Sequence, residues 1–209
     1  MLDCVIPAAG ASTRMGTLKP LLPYAGSTLV ETAVDAALEA ETRVILVVGH
    51  LGAAVSALFA ADAYRAAREA GRMLIVDNRR WEEGLLGSIQ AGLPSVKAGA
   101  FFISHADMPF IAPAAYRALA SAMVAREEEG TAAKAFIASH DGARGHPVLL
   151  PCVWIPEMLA LDPRGALRDF VALRATVLVE TGPGALRDID TLGDYEEART
   201  RALLKRGAL

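Results

Sequence analysis

The sequence predicts an α/β protein with a three-layer α/β/α, Rossmann-like fold built on a mostly parallel, mixed sheet. Three observations carry that expectation. Short continuous β-branched runs alternate with segments whose apolar residues recur at helical spacing. The first of these runs empties into a loop that holds two glycines and two cations. A later pair of runs lies close enough to form a hairpin, which adds antiparallel strands to a β-α-β succession.

Taken in order, Cys4-Val5-Ile6 forms a short strand that leads into a loop from Pro7 to Pro23. Thr28 and Glu31 make a capping box, and Leu29, Val30, Ala33, Val34, Ala37 and Leu38 then share one helical face. Val44 to Val48 is uninterrupted and apolar, the pattern of a strand buried on both faces, and Gly49 ends it. The alanine-rich stretch from about Ala53 to Ala70 predicts one helix, closed by Gly71, and Met73 to Val76 a third strand. This β-α-β-α-β order implies parallel strands joined by right-handed crossovers.

A helix from Ser88 to Leu93 and a fourth strand from Ala100 to Ile103 follow. Pro113 suits the first turn of a helix that continues from Ala114 to Arg126. Ala135 to Ala138 and His146 to Leu150 predict an antiparallel hairpin whose long tip runs through Ser139 to Gly145. A short helix ends near Leu173, and alternating β-branched residues mark a strand from Thr176 to Glu180. Thr191 with Asp194 is a second capping box, opening a terminal helix from Tyr195 to Lys205.

With 209 residues the chain fits one domain, residues 1–209. A domain of that size buries about 70% of its extended surface and needs no covalent staples. Asp3 and Pro7 interrupt the only early apolar run, so no signal pattern is present. No run approaches the roughly 20 apolar residues of a membrane span. Cys4 and Cys152 sit in apolar runs, as reduced core cysteines do, and the chain is expected to be cytoplasmic. The formal net charge of −3, with no Lys/Arg run interleaved with aromatics, speaks against a nucleic-acid partner. A small anionic ligand remains compatible if cations gather locally.

They gather in the Pro7–Pro23 loop. Gly10 and Gly16 let the backbone turn sharply and bring its N–H groups close to a ligand, and Arg14 and Lys19 add positive charge. That is the chemistry of a phosphate cradle. A Walker loop places its lysine directly after the second glycine, whereas Lys19 comes three residues after Gly16. A dinucleotide fingerprint needs a glycine where Ser12 stands, and Pro20 and Pro23 prevent an early helix. Both familiar cradles fail on spacing.

Asp107 follows the fourth strand, and ligands of open α/β sheets bind beyond the carboxyl ends of strands. A carboxylate facing a triphosphate is repelled unless a divalent cation bridges them, and Mg²⁺ is commonly held by one or two carboxylates plus phosphate oxygens. The plainer alternative is a turn aspartate ahead of Pro109. A zinc site is excluded by the spacing of His140, His146 and Cys152, and no Gly-x-Ser-x-Gly supports a serine hydrolase.

Ala8-Ala9-Gly10-Ala11-Ser12, Arg14-Met15-Gly16 and Lys19 closely resemble the opening motif of the MobA-like NTP transferase family, which includes the molybdenum-cofactor cytidylyl- and guanylyltransferases. The resemblance implies a fold of the nucleotide-diphospho-sugar transferase type. It also implies that Ala8, Ala9, Gly10, Ala11, Ser12, Arg14 and Lys19 wrap the triphosphate. Asn78, Trp81, Gly84, Ser88 and Gly92 are similar to a second motif of the cytidylyltransferase-type members, where the segment lines base and ribose. By the same resemblance Asp107 is the principal metal ligand and Asp190, ahead of Asp188, the second. Arg144 and His146 would face the acceptor. Asp162 to Gly165 resembles a further element of the subgroup, with Leu161 where a glycine is usual.

The implied reaction transfers a nucleoside monophosphate from a nucleoside triphosphate, CTP first, to a phosphorylated small-molecule acceptor, with Mg²⁺ and release of pyrophosphate. Arg14, Lys19 and Asp107 carry the catalysis. Pro7 replaces the usual Leu and looks like the start of sugar-phosphate and methylerythritol-phosphate nucleotidyltransferases. The Ala8-Ala9-Gly10 form and Gly145-His146-Pro147 look most like the molybdenum-cofactor cytidylyltransferases, so molybdopterin leads as acceptor, and the Pro7 start leaves a sugar or polyol phosphate as the alternative. A nucleotide-sugar glycosyltransferase and a non-catalytic nucleotide-binding protein share parts of the pattern. A Rossmann oxidoreductase is not supported, because this chain lacks the dinucleotide fingerprint.

Overall fold

In the computed structural model the first half of the chain runs β1 (Asp3–Pro7), β2 (Pro23–Tyr24), β3 (Ser27–Thr28), α1 (Leu29–Glu39) and β4 (Arg43–Val48). It continues with α2 (Gly52–Leu58), α3 (Arg65–Glu69), β5 (Met73–Asp77) and α4 (Leu85–Gly92). The second half comprises β6 (Ala100–Ile103), α5 (Pro113–Glu127), β7 (Ala135–His140) and β8 (Ala143–Pro151). Then come α6 (Ile155–Leu159), α7 (Leu167–Ala172), β9 (Thr176–Glu180) and α8 (Leu192–Gly207). The described residues are 1–10, 18–127 and 133–207. Ala11, Ser12 and Arg14 of the expected cradle lie outside them.

Among the described residues, seven strands form one sheet in the order β5-β4-β1-β6-β8-β7-β9. β5, β4, β1 and β6 are mutually parallel. β8 runs antiparallel to both β6 and β7, and β9 lies parallel to β7. The mostly parallel mixed sheet is therefore as expected. The strand alternation divides the core in two. Cys4, Ile6, Val44, Leu46 and Phe102 face a layer containing Val30, Val34, Val55 and Tyr116 of α1, α2 and α5. Val5, Ile45, Val47, Phe101 and Ile103 face Ile89, Met158, Phe170 and Val171 of α4, α6 and α7. Helix α4 comes close because it presents Gly92, where a Cβ would lie 2.9 Å from Val5 and Val47 side-chain carbons.

Local chemistry sets the element ends. Thr28 caps α1 through a complete capping box with Glu31. Thr191 and Asp194 do the same for α8, which starts at Leu192 instead of Tyr195.

Three expectations are corrected. The helix anticipated over residues 53–70 is broken between α2 and α3. Phe59 is fully buried and stacks edge-on with Tyr64 at 4.7 Å, and the chain must reverse to bring the two rings together. Arg68 makes the break tolerable by donating to the carbonyls of Phe59, Ala60 and Ala61. The β7–β8 hairpin has a tight tip, because Asp141 (φ 49°) and Gly142 (φ 78°) adopt the two positive-φ positions of a short turn. Helix α4 starts at Leu85, since Gly84 at φ 111° breaks the chain just ahead of it.

The edge of the sheet from which β1 starts is held by a buried ion pair. Asp3, 2% exposed, accepts from Arg43 Nε at 2.6 Å and from the Lys97 and Ala98 N–H groups at 2.7 and 2.8 Å. Burial alone would push the Asp3 carboxyl up, but these donors outweigh it and hold the group below its usual range. Its contribution is full above the unfolded carboxylate value of 3.8 and is lost as pH falls through the lower folded value. Asp3→Ala leaves Arg43 buried without its anion. It is expected to lower unfolding free energy by about 3 kcal/mol or more in a urea titration at pH 7, with turnover per folded molecule unchanged.

Candidate active site

Because β1, β4, β5 and β6 are parallel, their carboxyl ends share one edge, and of the expected site residues Ala8, Ala9, Lys19, Asp107 and Asp190 gather there. Ala8 and Ala9 are buried at the exit of β1. Their backbone is tied to β4: the Ala8 N–H donates to the Val47 carbonyl at 2.8 Å, and the Ala9 carbonyl accepts from the His50 N–H at 2.9 Å. Gly49 allows Trp81 to approach this exit, since a Cβ at Gly49 would lie 2.6 Å from the Trp81 Cβ. At the end of β6, Ser104 is anchored by its N–H on the Val5 carbonyl and by its hydroxyl, which accepts from Tyr116 at 2.8 Å. Asp107 emerges just beyond.

Lys19, Asp107 and Asp190 meet. Lys19 Nζ lies 2.7 Å from Asp107 Oδ2 and 2.8 Å from Asp190 Oδ1. The lysine side chain is only 11% exposed, so this is a largely buried cation clamped between two carboxylates. Burial would lower its pKa, but the hydrogen bonds and charges of Asp107 and Asp190 outweigh that and raise it. Lys19 is a permanent cation.

Asp190 reaches the sheet edge because the segment before α8 docks onto the loop after β6. The Ile189 N–H donates to the Asp107 carbonyl at 3.0 Å, and the Ile189 side chain is fully buried beside Tyr24, Leu29, Tyr195 and Ala198. Two glycines permit the approach. A Cβ on Gly184 would lie 2.1 Å from the Phe110 carbonyl oxygen, and one on Gly145 at 2.1 Å from that of Ala185. Asp194 Oδ2 accepts from the Asp190 and Thr191 N–H groups at 3.1 and 2.7 Å, so Asp194 fixes the backbone of Asp190 as a cap residue. Asp188 lines the same polar chamber; partial burial and the charge of Asp190 push its carboxyl up.

Two cavities of about 410 Å³ each adjoin at this edge. The polar one contains Asp107, Asp188 and Asp190. The apolar one lies between α4, β8 and α7, with Leu86, Ile89, Val148, Leu167 and Val171 in its wall. His105, Arg144 and His146 line both. The Arg144 guanidinium donates to Thr176 Oγ1 at 3.2 Å, on the exposed rim. The rings of His105 and His146 meet edge-on at 4.1 Å, and His146 Nδ1 has no hydrogen-bond partner among the described residues. Burial pushes His105 down to about 4 and His146 to about 3. Both are neutral at pH 7.

No group of three His, Cys, Asp or Glu positioned for a metal occurs among the described residues. Two carboxylates spanned by one cation is nonetheless the protein share that Mg²⁺ or Mn²⁺ requires when phosphate oxygens and water complete its shell. The residues fit such an ion.

Asn78 and Ser88 are brought together but inward. Both are buried, and Asn78 Nδ2 donates to Ser88 Oγ at 3.2 Å while Asn78 Oδ1 accepts from the Arg80 N–H at 3.0 Å. They hold the shape of the turn that carries Trp81 and Gly84. The Asp162–Gly165 loop docks on the same turn through the Pro163 carbonyl, which accepts from the Gly87 N–H at 3.1 Å. Sequence reasoning missed Ile189, Gly145 and Gly184 as the parts that deliver Asp190, and missed the apolar chamber entirely. The small Asp-Ile-Asp alternation was the only local sign that Ile189 points away from its neighbours.

The model of the MobA-like NTP transferase domain family matches residues 4–179. The chain belongs to this family. It is similar to the molybdenum cofactor cytidylyltransferase of Escherichia coli (strain K12), with 31% identity over 204 residues that cover 96% of each chain. Its fold is similar to that of a nucleotidyl transferase from Methanothermobacter thermautotroptrophicus, at a TM-score of 0.74, 23% identity and coverage of 98% and 99%. A Mycobacterium tuberculosis H37Rv protein solved in complex with manganese is similar at a TM-score of 0.72, 23% identity and coverage of 95% and 97%. As a MobA-like family member the chain is a nucleotidyltransferase, and no helix of its described residues is long and apolar enough to cross a membrane.

The neutral histidines of this MobA-like site make stability depend on pH. A His with a depressed folded pKa stabilises fully above its unfolded value near 6.5, and that stability is lost as pH falls towards the folded value. Half-buried His140, whose pKa is raised by Glu180, acts in the opposite sense. Between pH 6 and 5 the two buried rings are expected to cost together on the order of 2 kcal/mol per pH unit. His146→Asn removes about half of that slope in urea titrations run at a series of pH values.

Proposed function

We propose that this protein transfers a nucleoside monophosphate from a nucleoside triphosphate, CTP in the first place, to the phosphate of an acceptor, releasing pyrophosphate. The observation that carries this reading is the meeting of Lys19, Asp107 and Asp190 at the carboxyl edge of the parallel strands. Arg14, Lys19 and the backbone from Ala8 to Ser12 take the triphosphate. Asn78, Gly84 and Ser88 shape the turn that receives base and ribose. Asp107 and Asp190 would hold Mg²⁺, which would neutralise charge on the phosphates.

The chain's own residues do the remaining work by position and charge. Lys19, a cation fixed by a short turn, stabilises the negative charge that accumulates on departing pyrophosphate, an electrostatic role of the kind that dominates such transfers. Arg144 at the rim offers a planar fork for the acceptor phosphate, and His146 bounds the acceptor on its inner side. An acceptor phosphate is already ionised at pH 7, so no general base is needed. That accords with His105 and His146 being neutral and buried instead of poised near 7.

The apolar chamber favours one acceptor class over the other. A flat heterocycle buries its faces against Leu86, Ile89 and Val148, whereas a sugar or polyol would set its hydroxyls against those side chains without partners. This supports a molybdopterin-type acceptor, in line with the similarity to a molybdenum cofactor cytidylyltransferase. Product analysis separates the neighbouring readings: a nucleotide-sugar glycosyltransferase releases nucleoside diphosphate, and a non-catalytic binder releases nothing.

The test is pyrophosphate release with CTP, GTP, ATP or UTP, Mg²⁺ and either a pterin-type or a sugar-phosphate acceptor. CTP with the pterin acceptor is expected to be fastest. Lys19→Ala and Asp107→Ala are each expected to lower turnover on the order of 100-fold or more with the circular dichroism spectrum retained. Near-normal pyrophosphate release from either variant overturns the assignment.

A further inference from the structure

We propose that Lys19 and the divalent cation are alternative occupants of the Asp107–Asp190 carboxylate pair. The nucleotide-free protein then holds the metal weakly, and the incoming triphosphate loads it by drawing Lys19 away. The inference rests on the nucleotidyltransferase reading for the identity of the anion that draws the lysine.

The Lys19 ammonium spans the gap between the two carboxylates. Lys19 Nζ lies at hydrogen-bond distance from one oxygen of each carboxylate, 2.7 Å from Asp107 Oδ2 and 2.8 Å from Asp190 Oδ1. A divalent ion such as Mg²⁺ coordinated by those two oxygens at about 2.0–2.1 Å would have to occupy the gap that the ammonium spans. An ammonium and a divalent ion at such separation repel strongly in a partly buried site. One must leave.

The lysine is built to be the one that leaves. Its backbone is held in the short turn Lys19–Leu21, where the Leu22 N–H donates to the Lys19 carbonyl at 3.1 Å and Pro20 is buried behind it. Leu18 and Leu21 pack on the main core. Only the four-carbon stem is free to turn, and it carries a compact point charge that re-pairs with any nearby anion. Without a new anion, departure strands a largely buried ammonium and exposes two carboxylates to each other, which is costly. A triphosphate bound beside Lys19 removes that cost by supplying phosphate oxygens to its ammonium. Metal and nucleotide thereby load together.

The experiment measures Mn²⁺ binding to the full-length, nucleotide-free protein from the electron paramagnetic resonance signal of free Mn²⁺. Lys19→Met is expected to bind Mn²⁺ tenfold or more tightly than wild type, and adding Asp107→Asn to that variant to abolish the gain. Lys19→Gln, which keeps length and polarity, is expected to behave like Lys19→Met and serves where the methionine variant fails to fold. Affinity no tighter than wild type in either lysine variant overturns the proposal. So does a gain that survives Asp107→Asn, which would place the ion elsewhere. Neither result touches the nucleotidyltransferase reading, which fails separately if no nucleoside triphosphate and acceptor combination yields pyrophosphate.

Discussion

Two carboxylates held within reach of one ammonium are the constraint on which the rest of this structure depends. Asp107 and Asp190 would repel each other across a partly buried gap, and Lys19, clamped at 2.7 and 2.8 Å, removes that repulsion. The three residues come from three remote parts of the chain, so the fold must hold each part independently. Asp107 is held by β6 and by Ser104, bound to both Val5 and Tyr116. Lys19 is held by its turn. Asp190 has no strand of its own and depends on Ile189, whose N–H is bonded to the Asp107 carbonyl and whose side chain fills a small cluster with Tyr24, Leu29 and Tyr195. That cluster also receives Tyr195 Oη, which donates to the Pro23 carbonyl at 2.7 Å. Helix α8 is thus a strut that joins Pro23 to the second carboxylate.

The fold was largely legible because its signals are local. The run from Val44 to Val48 is apolar at every position and is buried at every position, as a strand covered on both faces must be. The two capping boxes set the starts of α1 and α8 by side-chain chemistry within four residues. The failures share one cause. Nothing near Ala60 breaks a helical pattern; the break is imposed by Phe59 and Tyr64 meeting in the core, with Arg68 satisfying the carbonyls left open. Tertiary packing overrode alanine propensity there.

The same division runs through the site. Asp107 was legible because a carboxylate directly after a parallel strand has only one place to go. Asp194 was separable from Asp190 because its capping partner Thr191 is adjacent in sequence. Gly145 and Gly184 were not legible. Each needs to be glycine because a carbonyl from another segment lies where its Cβ would be, and sequence spacing records no such neighbour. The apolar chamber was hidden for a different reason. Its wall is made of leucine, isoleucine and valine, residue types that elsewhere in this chain simply fill the core.

The partition between the two chambers explains why a histidine pair suits this position. His105 and His146 face the carboxylates on one side and aliphatic side chains on the other. A lysine or arginine there would compete with Lys19 for Asp107 and Asp190, and a leucine would extend the apolar wall into the polar chamber. Two imidazoles stacked edge-on, kept neutral by burial, bring polar ring atoms without a fixed charge. The positive charge then stays with Lys19, buried on the carboxylates, and with Arg144, exposed where the two chambers adjoin.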